Sequence, residues 1–459
     1  MHFLKAHCWK LTLLGGAVAV ASWLGWGYAN QGRKTLVALD TTTGKLQWVY
    51  PLADDFGYSK GPIAGNGKVV LDGCVKTAED NCGAYQIQTF DAQSGQLLWS
   101  RSTSRDRSPY NIASNQATLI QTNRLYVQLE NDLHALDLKT GVQLWQTPRR
   151  WFSAPGVWYG MGIVAQPDKL AILNTLRNAN SLQTLNPKTG NLQQSATIKL
   201  PKRSNTRNII AANDRTLFLE TSGLMPGDTP DSFYDSGTST VMAYNSKTLE
   251  PRFRRDIQGG GIFQMNEIEN ILLLSNTSHY NGKGENRSEG GWLAMDADTG
   301  QILWQKKYSQ LNCYPLRIGD PNIHDPIYLR CRRDHPDLGK KTNVMALSLQ
   351  TGAVKWQTQL STEGDYRDLP ATVTDRQYLT FRRVKANTWQ TQAVALDRQT
   401  GKLLWAFPLF DDEAGYVNTF RSIVAAEGDR FFTLDRLPRW QLWLLQINPN
   451  WYLKQPIAN

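Results

Sequence analysis

From residue 35 onward, short runs rich in Val, Ile, Leu, Phe and Tyr alternate with polar, turn-forming stretches, and no helical periodicity follows residue 30. The runs are four to eight residues long and apolar at every second position, which predicts β-strands. Every fourth run ends in the same punctuated segment. It reads "ALDTTTGKLQW" at 38–48 and returns as "TFDAQSGQLLW" (89–99), "ALDLKTGVQLW" (135–145), "TLNPKTGNLQQ" (184–194), "AYNSKTLEPRF" (243–253), "AMDADTGQILW" (294–304), "ALSLQTGAVKW" (346–356) and "ALDRQTGKLLW" (395–405). The turn glycines are Gly44, Gly95, Gly141, Gly190, Gly300, Gly352 and Gly401, with Leu249 in the fifth copy. Successive copies lie 46 to 59 residues apart. An Asp, Asn or Ser at the end of an apolar strand accepts backbone N–H groups and opens a turn. A residue at positive φ closes it, which glycine does at little steric cost. The chain then reverses into a strand that carries Trp48, Trp99, Trp145, Trp304, Trp356 or Trp405 four residues after the turn, replaced by Gln194 and Phe253 in copies four and five. A large aromatic at one place per repeat predicts burial between neighbouring units. With two further strands between copies, the unit is four antiparallel strands in about 50 residues, the size of a propeller blade.

The pattern A-x-D-x-x-T-G-x-x-x-W resembles the PQQ-like β-propeller repeat, and the resemblance covers nearly all of residues 35–450. It implies an all-β fold, an eight-bladed β-propeller of four-stranded antiparallel blades, with seven blades as the alternative. The first copy supplies only the last two strands of a blade, so strands from both chain ends are expected to share one blade and close the ring. The family includes quinoprotein dehydrogenases and non-enzymatic relatives such as the propeller of the outer-membrane β-barrel assembly machinery. The sequence sits closer to the second group. It has none of the adjacent cysteine pair of the dehydrogenases, and their acidic base and calcium ligands cannot be placed on it. No catalytic residue is assigned. No cofactor is expected, PQQ and calcium belonging only to the alternative reading as an oxidoreductase. The six histidines show no metal-ligand spacing, and no P-loop, nucleophile or dinucleotide motif is present.

Residues 11–29 carry no charge, follow Lys5 and Lys10, and end in the small residues Gly27 and Ala29. This is the layout of an export signal. Nineteen uncharged residues also nearly suffice to span a bilayer, which takes about 20. Residues 1–29 therefore read as a signal peptide or a membrane anchor, and residues 30–459 as the propeller. Export implies an oxidising compartment, periplasmic or lumenal. Cys74 and Cys82 flank a polar loop, and Cys313 and Cys331 flank two strands around a Gly/Pro/Asp-rich turn. Two local disulfides, Cys74–Cys82 and Cys313–Cys331, are expected.

Lys and Arg exceed Asp and Glu by 50 to 40, but the basic residues occur in scattered pairs and never as a run. Nucleic acid is excluded as a partner on that ground. Four long insertions precede the third strand of their blades, at 72–84, 223–239, 276–291 and 332–343, and blade geometry puts them on one face. The join at 149–160 emerges there too. Arg149, Arg150, Trp151, Trp158 and Tyr159, with Arg332 and Arg333, form the candidate interaction surface, since interfaces favour Arg and aromatics. The expected function is a non-enzymatic exported scaffold that binds a protein or peptide of the cell envelope through this face. A carbohydrate- or envelope-polymer-binding propeller is the remaining alternative.

Overall fold

The computed structural model describes the chain from Gly32 to Pro438, apart from 59–61, 77–81, 104–117, 130–131, 148–162, 177–178, 199–203, 227–232, 259–261, 277–278, 281–285, 289, 308–313, 317–325, 336–338, 362–370, 386–388 and 410–424. The N-terminal segment 1–29 and the join carrying Arg149, Arg150, Trp151, Trp158 and Tyr159 thus lie outside the described residues.

Among the described residues, eight antiparallel sheets run as meanders from an inner to an outer strand, beside one separate two-stranded hairpin. These are the eight blades, and each repeat turn joins the third strand of its blade to the fourth. Blade 1 is composite. Its two inner strands, Ala425–Glu427 and Arg430–Pro438, come from the C-terminal part, and its two outer strands, Gly32–Asp40 and Leu46–Pro51, from the N-terminal part. Gly32 pairs with Pro438 and Asp40 with Arg430, a nine-residue ladder that closes the ring. Among the described residues the C-terminal part supplies two strands. Blade 2 has a divided inner edge, with Phe56–Tyr58 and Ile63–Gly65 both pairing the strand Lys68–Lys76.

The core lies between blades rather than inside one. Val37, Leu39 and Phe431 of blade 1 pack with Leu379, Phe381 and Ala395 of blade 8. Leu36 and Phe432 of blade 1 pack with Val69, Leu71 and Phe90 of blade 2. A middle strand therefore has neighbours on both faces, and Ile271–Asn276 is buried at all six positions. The outer strand Ile302–Lys307 instead alternates around the buried Trp304.

The inter-blade contact explains the repeat. Each tryptophan lies face-on against the turn glycine of the next blade and donates its indole N–H to a carbonyl in the same turn. Trp99 donates to Leu138 O at 3.0 Å, Trp145 to Pro187 O at 3.0 Å, Trp304 to Leu349 O at 2.7 Å and Trp356 to Arg398 O at 3.0 Å. Trp48 reaches Ala92 O, and Trp405 of blade 8 reaches Thr41 O of blade 1, which completes the circuit. The glycine is required twice over. Gly141 has φ +71°, and a Cβ there would sit 2.6 Å from Cδ2 of Trp99. The two irregular copies are irregular together. Leu249 occupies the turn position of blade 5 with φ 59° and is buried with Leu173, Leu182 and Ile198 of blade 4. The residue facing that turn from blade 4 is Gln194 rather than Trp, and its amide still donates to Lys247 O. Phe253 takes the tryptophan's place on Gly300.

Candidate interaction face

The two ends of the ring are chemically distinct. At one end the repeat turns sit beside the turns that join the first and second strands of the same blade. Thr41 N bonds Asp429 O at 2.8 Å, Ala92 N bonds Gly67 O at 3.0 Å and Leu138 N bonds Asn123 O at 2.9 Å. This turn face is uniform. In its turns the Asp carboxylate takes up the local donors; Asp397 accepts from the backbone N–H and the hydroxyl of Thr400, both at 2.7 Å. The Thr400 hydroxyl, then its backbone N–H, hold the Asp397 carboxyl below its ordinary range.

Around the central channel at this end runs a chain of polar contacts that the sequence did not announce. Gln121 donates to Gln166 O at 2.6 Å, Gln166 donates to Asn213 O, and Asn213 lies 3.4 Å from both Glu267 Oε1 and Asn270 Oδ1. Glu427 of blade 1 accepts from Gly67 N at 2.5 Å, and Asn66 donates to Thr122 O. Gln121, Gln166, Asn213 and Glu427 all occupy the last position before the first turn of their blades. Aligning that position across repeats is the signal that would have found them. Burial raises the Glu267 carboxyl, and Asp214 and Asp298 nearby add to the rise against its bonds from Asn270 and Asn213. Asp298 itself is held by Arg215 at 2.8 Å and Arg252 at 3.2 Å.

The opposite end carries the hairpins between second and third strands, and these are uneven. The insertions read from sequence as loops are largely continued strands. Pairing persists to Pro226↔Phe233 in blade 5, to His335↔Gly339 in blade 7 and to Lys76↔Cys82 in blade 2. Blade 8 adds a fifth long hairpin, ending at Lys385↔Trp389, that the sequence did not single out as an insertion. In blade 6 a separate two-stranded hairpin, His279–Tyr280 with Asn286–Ser288, stands beyond the main sheet. A second strand that keeps pairing past the ring projects its hairpin beyond the turn-regular body, because each residue adds about 3.3 Å.

Of the sequence-derived surface, Arg332 and Arg333 lie on the blade 7 hairpin, opposite Thr342 and Lys341. Cys74 is disulfide-bonded. It lies opposite Tyr85, and Cys82 lies opposite Lys76, across a strand irregularity. Cys331 pairs with Pro315 and Asn343, while Cys313 lies outside the described residues. His134 is accounted for structurally, with Nδ1 3.0 Å from Gln143 Oε1. Among the described residues no three His, Cys, Asp or Glu side chains converge to hold a metal ion. Also among the described residues, no helix is long and apolar enough to cross a membrane.

Eight blades, closed through a shared blade and locked by a Trp-on-Gly contact, define a PQQ-like β-propeller. The family described as outer membrane protein assembly factor BamB matches residues 6–150 and 207–405, well over half of the chain, and the chain belongs to it. No curated protein matches in sequence. Among solved structures, BamB from Moraxella catarrhalis is 14% identical, covering 75% of this chain and 87% of that one, with a TM-score of 0.44. Quinohemoprotein alcohol dehydrogenase ADHIIG from Pseudomonas putida HK5 is 13% identical, covering 88% and 72%, with a TM-score of 0.50. The latter likeness is one of fold alone.

Proposed function

We propose that the protein is a non-enzymatic scaffold of the cell envelope that binds a protein or peptide through its hairpin face. The observation that carries this reading is the contrast between the two ends. One is a regular ring of turns, bonded to the neighbouring first turn in blades 1, 2, 3, 5, 6 and 8. The other is an irregular rim raised by five blades, with Tyr234 on the blade 5 hairpin and Tyr280 on the blade 6 hairpin. Uneven hairpins on a rigid ring supply the shape by which a partner is told from its competitors, and aromatic positions are favoured interface anchors. Membership of a family described by an outer-membrane assembly factor supports an envelope location, periplasmic after export. The disulfide at Cys74 fits the same oxidising compartment, and Cys82, which pairs with Lys76 two positions after Cys74 across one irregularity, is its proposed partner.

The test is site-specific photo-cross-linking in intact cells, with the probe at Tyr234 or Tyr280 on the hairpin rim and at Thr122 or Lys139 on the turn face. Discrete protein adducts from the rim and none from the turn face are expected. Adducts confined to the turn face overturn the assignment of the face. Saturable micromolar binding of PQQ in the presence of calcium by calorimetry overturns the non-enzymatic reading.

A further inference from the structure

Six of the eight seams between blades are closed by a tryptophan on a glycine, and the two that are not flank the same blade. Blade 5, built from the strands between Ser204 and Gln258, meets blade 4 through Leu249 and Gln194, and blade 6 through Phe253.

At the seam with blade 4, flexible polar side chains take over the work of the indole. In a regular seam the indole N–H reaches the carbonyl of the residue after the turn's opening Asp or its counterpart, as Trp99 reaches Leu138 O. The corresponding carbonyl of blade 5 is Ser246 O, and it accepts from Lys169 Nζ of blade 4 at 3.1 Å. Gln194 donates to the next carbonyl, Lys247 O. A lysine ammonium on its four-carbon stem adapts to its acceptor, whereas a planar indole fixes the approach of two blades. Leu249 is also held at φ 59°, a conformation that a Cβ makes costly.

At the seam with blade 6, Phe253 covers Gly300 but has no N–H to donate. Long side chains bridge the blades instead. Arg255 donates to Gly300 O at 3.0 Å, and Arg215 and Arg252 reach Asp298 at 2.8 and 3.2 Å. The Arg215 side chain is 67% exposed, so solvent screens its pairing. Deeper in the seam the buried Glu220 accepts from Ser239 Oγ at 3.0 Å, and that hydroxyl accepts from Ile262 N of blade 6 at 3.2 Å.

The apolar packing has the same character. Of the four methionines buried among the described residues, Met242 lies in the first of these seams and Met265 and Met295 in the second. Methionine repacks more readily than a branched or aromatic side chain. In a repeat protein each unit is held by its own stability and by its contacts with its two neighbours. Blade 4 keeps Trp145 at its other seam and blade 6 keeps Trp304, so blade 5 alone lacks the tryptophan contact on both sides. Its second and third strands, of 11 and 13 residues, are also the longest among the described residues, and their pairing carries the hairpin out to Pro226↔Phe233. A small tilt at the turn end is therefore a larger displacement at the rim.

We propose that blade 5 is the movable blade of the ring. It opens and tilts as a unit between its neighbours and carries its hairpin across the rim, while the six tryptophan seams keep the other blades in place. That the motion seats a partner rests on the scaffold reading above; the motion itself does not.

The test is native-state hydrogen exchange of the full chain, without a partner, in low concentrations of urea. Protection factors are compared in the middle strands of blade 5 (216–221 and 241–245), blade 3 (125–127 and 133–136) and blade 7 (327–329 and 344–347). We expect blade 5 to open at lower urea and to exchange about tenfold faster, as a unit of lower local stability does. Phe253→Trp places an indole on Gly300 and should slow blade 5 by about fivefold, with blade 3 unchanged. Equal protection in the three blades overturns the proposal. So does a folded Phe253→Trp chain whose blade 5 exchanges as before; should that variant not fold, the comparison of blades in the natural chain decides. Failure of the rim to cross-link a protein overturns the scaffold reading instead, and the exchange result stands apart from it.

Discussion

The paired irregularity at blades 4 and 5 makes a quantitative prediction. Elsewhere a tryptophan, or Phe253 at Gly300, covers the turn glycine of the next blade; here Gln194 faces Leu249. A Cβ at the other turns would fall 2.5 Å from Trp48 at Gly95 and 2.8 Å from Trp304 at Gly352. A tryptophan at 194 in the common position would therefore collide with Leu249. Gln194→Trp alone should overpack the seam, at about 1–3 kcal/mol. It also loses the amide bond to Lys247 O, at about 1 kcal/mol. Leu249→Gly alone removes a leucine that is 4% exposed. A buried Leu truncation costs about 2–5 kcal/mol, and release of the left-handed backbone returns about 1–2 kcal/mol. Each single variant should thus lose about 2–3 kcal/mol. The double variant rebuilds the arrangement of the other seams, so it should lie within about 1 kcal/mol of the natural protein, a coupling of about 3–6 kcal/mol in favour of the pair. Urea unfolding of the four proteins, followed by tryptophan fluorescence and circular dichroism, measures it. A double variant as unstable as the sum of the singles, to within about 0.5 kcal/mol, would refute the account of the repeat as a Trp-on-Gly lock.

At a regular seam, Gly141→Ala should destabilise by about 3 kcal/mol, because it combines a strained positive φ with overpacking against Trp99; a midpoint unchanged in urea would contradict this. The lowered Asp397 carboxyl contributes stability that is present above its ordinary value of 3.8 and is lost as pH falls through the lower folded value, so Asp397→Asn should flatten that acid limb in a pH series of thermal unfolding. Glu267 has the opposite sign. Its raised pKa means the folded state holds its proton longer, so its contribution falls as pH rises from 4.5 through the folded value, and Glu267→Gln should remove that fall. Reduction of the disulfide at Cys74 should increase hydrogen exchange along 68–76 while leaving blade 6 unaltered, because a link to Cys82, its proposed partner, closes a hairpin local to blade 2.

The turn chemistry is local, and eight copies of Asp-x-x-Thr-Gly or its variants state it in full. From that regularity follow the four-stranded unit and the sharing of one blade by both ends of the chain, while eight blades against seven is decided by the structure. What the sequence could not state is who faces whom. Gln194 and Leu249 look like two separate defects until adjacent blades bring residues of different repeats into one contact. The chain of Gln121, Gln166, Asn213 and Glu427 is equally silent, because each side chain is an ordinary polar residue before a turn and gains a partner only from the next blade. The insertions at 223–239 and 332–343 were read as loops, since Pro, Gly and Asp punctuate them, yet pairing against a rigid sheet carries the strands on through them. Local turn preferences act within a few residues and are legible in one repeat. Charge and packing act across space, and the tertiary structure alone decides which residues share it.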